Sequence, residues 1–70
     1  MTNHVYSVSE IVGSSPDTIE DAINNALARA HKTLRHLDWF EVTEVRGRLT
    51  ADGTVDHYQV ALKLGFRMED

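Results

Sequence analysis

The run "VDHYQVALKLGFR", Val55 to Arg67, carries Tyr58, Val60, Leu62, Leu64 and Phe66 at every second position without a break. Successive side chains of a strand point to opposite faces, so this spacing predicts one long strand with a single buried face. The opposite face carries His57, Gln59, Ala61, Lys63, Gly65 and Arg67. A slip of one residue would exchange the two faces, so the pairing register is strongly specified.

The other elements follow from the sequence on either side of their boundaries. "HVYSVSEIVG" is rich in β-branched residues with partial alternation and reads as a first strand ending at Gly13. "SSPDTIEDAINNALARAHKTLRHL" then reads as a helix of about 20 residues. Ser15 suits the N-cap, and Pro16 the first helical position, where its missing N–H would be unpaired anyway. Ile19, Ala22, Ile23, Ala26, Leu27, Ala30 and Leu34 make one apolar stripe. Asp17, Glu20 and Asp21 lie near the positive end of the helix dipole, and Arg29, Lys32 and Arg35 near the negative end. The second strand is expected from Trp39 to Leu49, and "ADG" (Ala51 to Gly53) signals a hairpin in which Gly53 takes positive φ. The expected fold is α+β: a β-α-β-β protomer, one domain over residues 1–70, with a three-stranded sheet around one helix.

Such a chain is short of core. At 70 residues it buries a smaller fraction of its surface than a larger domain does. Small folds compensate with disulfides, metals or oligomerisation. There is no cysteine, which excludes disulfides and thiolate metal sites. His4, His31, His36 and His57 show no zinc-binding spacing and read as scattered surface residues, so no metal is expected. A helix is about 10 Å wide, whereas three strands about 4.8 Å apart make a wider sheet with a second, bare face. The geometry therefore favours a sheet that curls around the helix and sets its free face and edges against further copies.

Seven basic against eleven acidic residues give a net charge of −4, which argues against nucleic acid as a partner. No apolar run reaches the roughly 18–20 residues that span a bilayer, and "MTNHVYSVSE" does not read as a signal peptide, so a cytoplasmic location is expected. No nucleophile with a matched base and no glycine-rich phosphate loop is present, so no catalytic residue is expected. "IVGSSPD" lacks the glycines of an anion loop and reads as ordinary capping.

The remaining signal lies in "LDWFEVTEVRGR". Trp39, the single tryptophan, stands at the boundary between helix and strand, where full burial of so large a ring is difficult. Two readings are open. Trp39 caps one end of the core with its N–H on a carbonyl, or it is a stacking platform for a planar ligand shared between two symmetry-related chains. Gln59, on the face opposite Tyr58 and Val60, either is a solvated strand residue or offers a donor and an acceptor to a heterocycle edge. Arg46 and Arg48 either fork onto a phosphate or carbonyl or pair with Glu41 or Glu44 across the sheet.

Together "HVYSVSEIVGSSPDTIEDAI", "LDWFEVTEVRG" and "HYQVALKLGFR" resemble the dodecins, small flavin-binding proteins, from Val5 to Glu69. The resemblance implies an antiparallel sheet wrapped around the helix and twelve protomers in a hollow sphere of cubic symmetry. It implies FMN, riboflavin or FAD bound as stacked pairs between tryptophans of two-fold-related chains. It matches the tryptophan to Trp39, the ring-edge glutamine to Gln59 and a further ligand-side arginine to Arg46. The implied role is storage, buffering or photoprotection; a flavin-dependent redox enzyme and a ligand-free structural oligomer are the alternatives. Many bacterial dodecins have a first-strand lysine where this chain has Ser7, which puts coenzyme A as a secondary ligand in doubt.

Overall fold

The computed structural model describes residues 3–68. It comprises β1 (Tyr6–Ser15), α1 (Ile19–His31), β2 (Leu37–Leu49) and β3 (Val55–Arg67). Both outer strands pair antiparallel with β3, giving the order β1-β3-β2. The expected β-α-β-β antiparallel fold is therefore present. The unbroken alternation belongs to the central strand, whose Val60, Leu62 and Leu64 are fully buried beneath α1. Ala22, Ala26 and Ala30 meet them from the helix, with Ile11, Ile23, Leu27, Leu34 and Leu37 packed around.

Small residues set how closely helix and sheet approach. A Cβ at Gly13 would run into the Ala22 carbonyl and the Ala26 side chain, so the helix backbone lies directly on β1 there. α1 packs on β1 and β3 and hardly on β2. As a result Phe40, Val42 and Val45, which share the helix-facing side of β2, remain exposed. Ile19 belongs to the sequence-defined stripe yet is also exposed.

Several expected boundaries move. β1 continues past Gly13 to Ser15, which pairs with Tyr58. Ser15 is thus not the N-cap. It is buried, and its hydroxyl accepts from the Asp17 N–H at 3.0 Å and donates to Asp21 Oδ2 at 3.0 Å. The N-cap is Thr18, with extended backbone and an Oγ1 that accepts from the Asp21 N–H at 2.9 Å. Pro16 precedes the helix instead of occupying its first position. Ser15 keeps its backbone in the sheet and directs its hydroxyl to the Asp17 and Thr18 N–H groups ahead of the helix, so the cap falls to Thr18, where the chain has left the sheet. At the other end α1 stops at His31, a length of 13 residues or about 20 Å, and Leu34 packs on the core from beyond it. His36, with φ 60°, then turns the chain into β2, which begins at Leu37, two residues before Trp39. Between β2 and β3 the expected turn forms, with Gly53 at φ 87°. Hydrogen bonds from Thr50 and Thr54 hold the Asp52 carboxyl below its ordinary pKa.

The protomer is elongated, 56 × 20 × 14 Å. Its radius of gyration is 14.7 Å, against about 11 Å for a compact chain of this length. No described helix is long and apolar enough to cross a membrane.

Candidate functional site

The sheet face turned away from α1 carries the residues that sequence singled out. In register, Trp39 lies opposite Gly65 and Arg46 opposite Gln59, with both pairs on this outer face. A register shift between Leu37 and Trp39 leaves Asp38 out of the ladder and turns the indole over the sheet. The indole lies on Gly65 so closely that a Cβ at that position would overlap its ring carbons. Gly65 is therefore buried while Trp39 itself stays 41% exposed, too open for a core cap. Tyr6, from the far side of β3, brings its ring centroid within 6.2 Å of the indole at a 52° tilt. Its phenol donates to Asp38 Oδ2 at 2.8 Å, and that bond raises the phenol's pKa above its ordinary value. Tyr6 and Asp38 thus tie β1 to β2 across the central strand, with the Tyr6 ring beside the indole.

Gln59 and Arg46 belong to a second group on the same face. Arg46 Nη1 donates to Gln59 Oε1 at 3.4 Å, and Nη2 donates to Glu44 Oε1 at 2.9 Å. The arginine's acidic partner lies two residues away on its own strand, not across the sheet as sequence allowed. The amide nitrogen of Gln59 is 3.1 Å from His57 Nε2, and His57 Nδ1 is 2.6 Å from Asp56 Oδ2. Lys63, midway along the face, lies between Glu10 on β1 and Glu41 on β2. Ser7 is on the other face, opposite Phe66. Among the described residues no three histidine or acidic side chains are grouped to hold a metal ion.

The structure brings Arg46 and Gln59 together, but Trp39 does not join them. Gly65, beneath the indole, is six residues along β3 from Gln59, about 20 Å in an extended strand. One planar ring stacked on Trp39 cannot reach Gln59 of the same chain. Sequence reasoning missed Gly65, Tyr6, Asp38 and His57. Gly65 left a readable trace, since a glycine inside a strand marks a close approach. The Tyr6–Asp38 bond spans 32 positions and left none.

Comparison with known proteins gives a consistent result. The family model described as Dodecin matches residues 5–69. A Dodecin from Thermus thermophilus is 58% identical over 66 residues, covering 94% of both chains. The structure of dodecin from Streptomyces coelicolor superposes with a TM-score of 0.92 at 60% identity, over 100% of this chain and 99% of that one. A dodecin from Streptomyces davaonensis gives 0.92 at 52% identity, over 99% and 100%. By sequence and by fold alike, the chain belongs to the dodecin family.

Proposed function

We propose that the protein is a homododecameric flavin carrier for storage, buffering or photoprotection of its ligand, with Trp39, Gln59 and Arg46 as the binding residues. The observation that carries this reading is the half-exposed indole laid over Gly65 on a sheet face that no described helix or strand covers. A flat, open aromatic surface is what a planar ring requires, and stacking on such a surface is worth about 1–3 kcal/mol per ring. Gln59 retains one carbonyl lone pair and one amide hydrogen beyond its contacts with Arg46 and His57. These suit a ring edge that alternates C=O and N–H. Because the two groups are about 20 Å apart along one strand, the stacking surface and the edge contact for one ring come from different chains.

The flavin supplies a photoreactive ring. Trp39 supplies an electron-rich face, positioned to quench excitation by electron transfer to a ring in contact with it. Arg46, held by Glu44, aims the Gln59 carbonyl and adds positive charge beside the ligand edge. Lys63 stands in register between Glu10 and Glu41, whose carboxylates disfavour an anionic second ligand beside it.

The test is titration of the ligand-free protein with riboflavin, FMN, FAD and lumichrome, following flavin emission. Saturable quenching by at least one of them is expected. In Trp39→Ala the affinity should fall at least tenfold and any bound flavin should brighten, with the particle intact. Absence of quenching by all four overturns the reading. Steady turnover of bound flavin by a nicotinamide donor would replace the carrier with a redox enzyme.

A further inference from the structure

The line Asp56–His57–Gln59–Arg46–Glu44 on the outer face has its protons fixed by chemistry. A guanidinium only donates, so the Gln59 atom 3.4 Å from Arg46 Nη1 is necessarily the carbonyl Oε1. The amide nitrogen then faces His57, 3.1 Å from Nε2. An amide NH2 also only donates, so Nε2 holds a lone pair and the proton of the neutral imidazole sits on Nδ1. There Asp56 Oδ2, 2.6 Å away, accepts it. We propose that His57 is a positioning residue for the Gln59 amide, and that protonating it spoils the donor–acceptor order Gln59 presents to a heterocycle edge. This rests on the reading of Gln59 as the residue that meets the ligand edge.

Protonated imidazole donates from both nitrogens. Its Nε2–H would then oppose the amide NH2, donor against donor. Turning the amide over relieves that contact but sets the NH2 against Arg46, which again only donates. Neither orientation keeps the arrangement of the neutral state, in which both amide atoms are satisfied and each has one valence left for a ligand. The groups facing His57 are Asp56 beside it and Arg48 opposite it on β2, with Arg46 and Glu44 beyond Gln59. β1 ends at Ser15, opposite Tyr58, and brings no titratable side chain alongside. α1 is on the other face. A ligand matched to the neutral arrangement binds best with His57 neutral, so affinity is lower in acid, where the imidazolium opposes the amide.

Riboflavin is the appropriate probe, because it carries no phosphate and no group that titrates in this range. It is titrated into the intact assembly at about pH 5.5 and at about pH 8, with particle mass measured at both. The parent should bind about tenfold more weakly at the lower pH, the effect of one or two mismatched hydrogen bonds. His57→Ala should show a flat profile. His57→Lys keeps a donor at this position throughout and should be flat and weak. A second readout needs no ligand: imidazole nitrogen NMR shifts should place the His57 proton on Nδ1 at the higher pH. A pH-independent parent, variants that titrate as the parent does, or a proton on Nε2 would each overturn the role of His57 and leave the flavin site standing. An intact assembly that binds no riboflavin at either pH overturns both.

Discussion

At the scale of single residues, Gly65 sets how the Trp39 indole lies on the sheet although it has no side chain of its own. Any side chain there lifts the indole off the sheet. Gly65→Ala should therefore weaken flavin binding about tenfold, a loss of about 1.4 kcal/mol of stacking. Gly47→Ala is the control, because a Cβ there meets nothing closer than 3.9 Å. Equal affinities for the two variants in a fluorescence titration would show that the indole need not lie flat. Trp39 and Gln59 could be singled out as candidates in sequence because a lone tryptophan at a boundary and an amide on a strand's polar face are local signals. Tyr6, Asp38 and His57 were not. Their roles arise from a strand order that brings β1 and β2 to either side of β3, and from an ordinary surface composition that nothing local distinguishes.

Among the elements, the helix was read correctly in type and face and wrongly at both ends. The alanine stripe follows the 3.6-residue period, which sequence shows directly. The start depends on where the backbone leaves the sheet: Ser15 is still paired with Tyr58, and its hydroxyl serves the Asp17 N–H ahead of the helix. Thr18→Ala should cost about 1 kcal/mol of stability as a lost cap. Gly13→Ala should cost about 1–3 kcal/mol as overpacking, since its Cβ would meet the helix backbone, which cannot yield as a side chain would. Thermal melts of the two variants separate these effects. A Gly13→Ala protein as stable as the parent would mean that the helix can lift from β1. β3 was the most legible element, because one period and one turn signal define both its register and its start. β2 was placed by sequence, but its three register shifts were not foreseeable, since they depend on how its 13 residues bend around the neighbouring strand.

For the whole molecule, shape argues what composition could only raise. A protomer of 5188 Å² exposes more than the roughly 4,400 Å² of a compact chain of its 7.9 kDa mass. Both edge strands contribute exposed apolar side chains, Val8 and Val12 on β1 and Phe40, Val42, Val45 and Leu49 on β2, a surface that isolated proteins avoid. Sedimentation should show one species near twelve times the 7.9 kDa chain mass; a monodisperse monomer at micromolar concentration would contradict the assembly. The distance along β3 between the indole platform and the Gln59 amide has a genetic corollary. If each site takes its tryptophan from one protomer and its glutamine from another, two defective chains complement each other. Trp39→Ala and Gln59→Ala chains, unfolded together in equal amounts and reassembled at random, should restore about one site in four, half the sites drawing each intact residue independently. Mixing after assembly should restore none. A binding unit contained within a single protomer would give no recovery in either case, so two crippled proteins that recover function only when they share a particle would reveal whose residues meet across the subunit boundary.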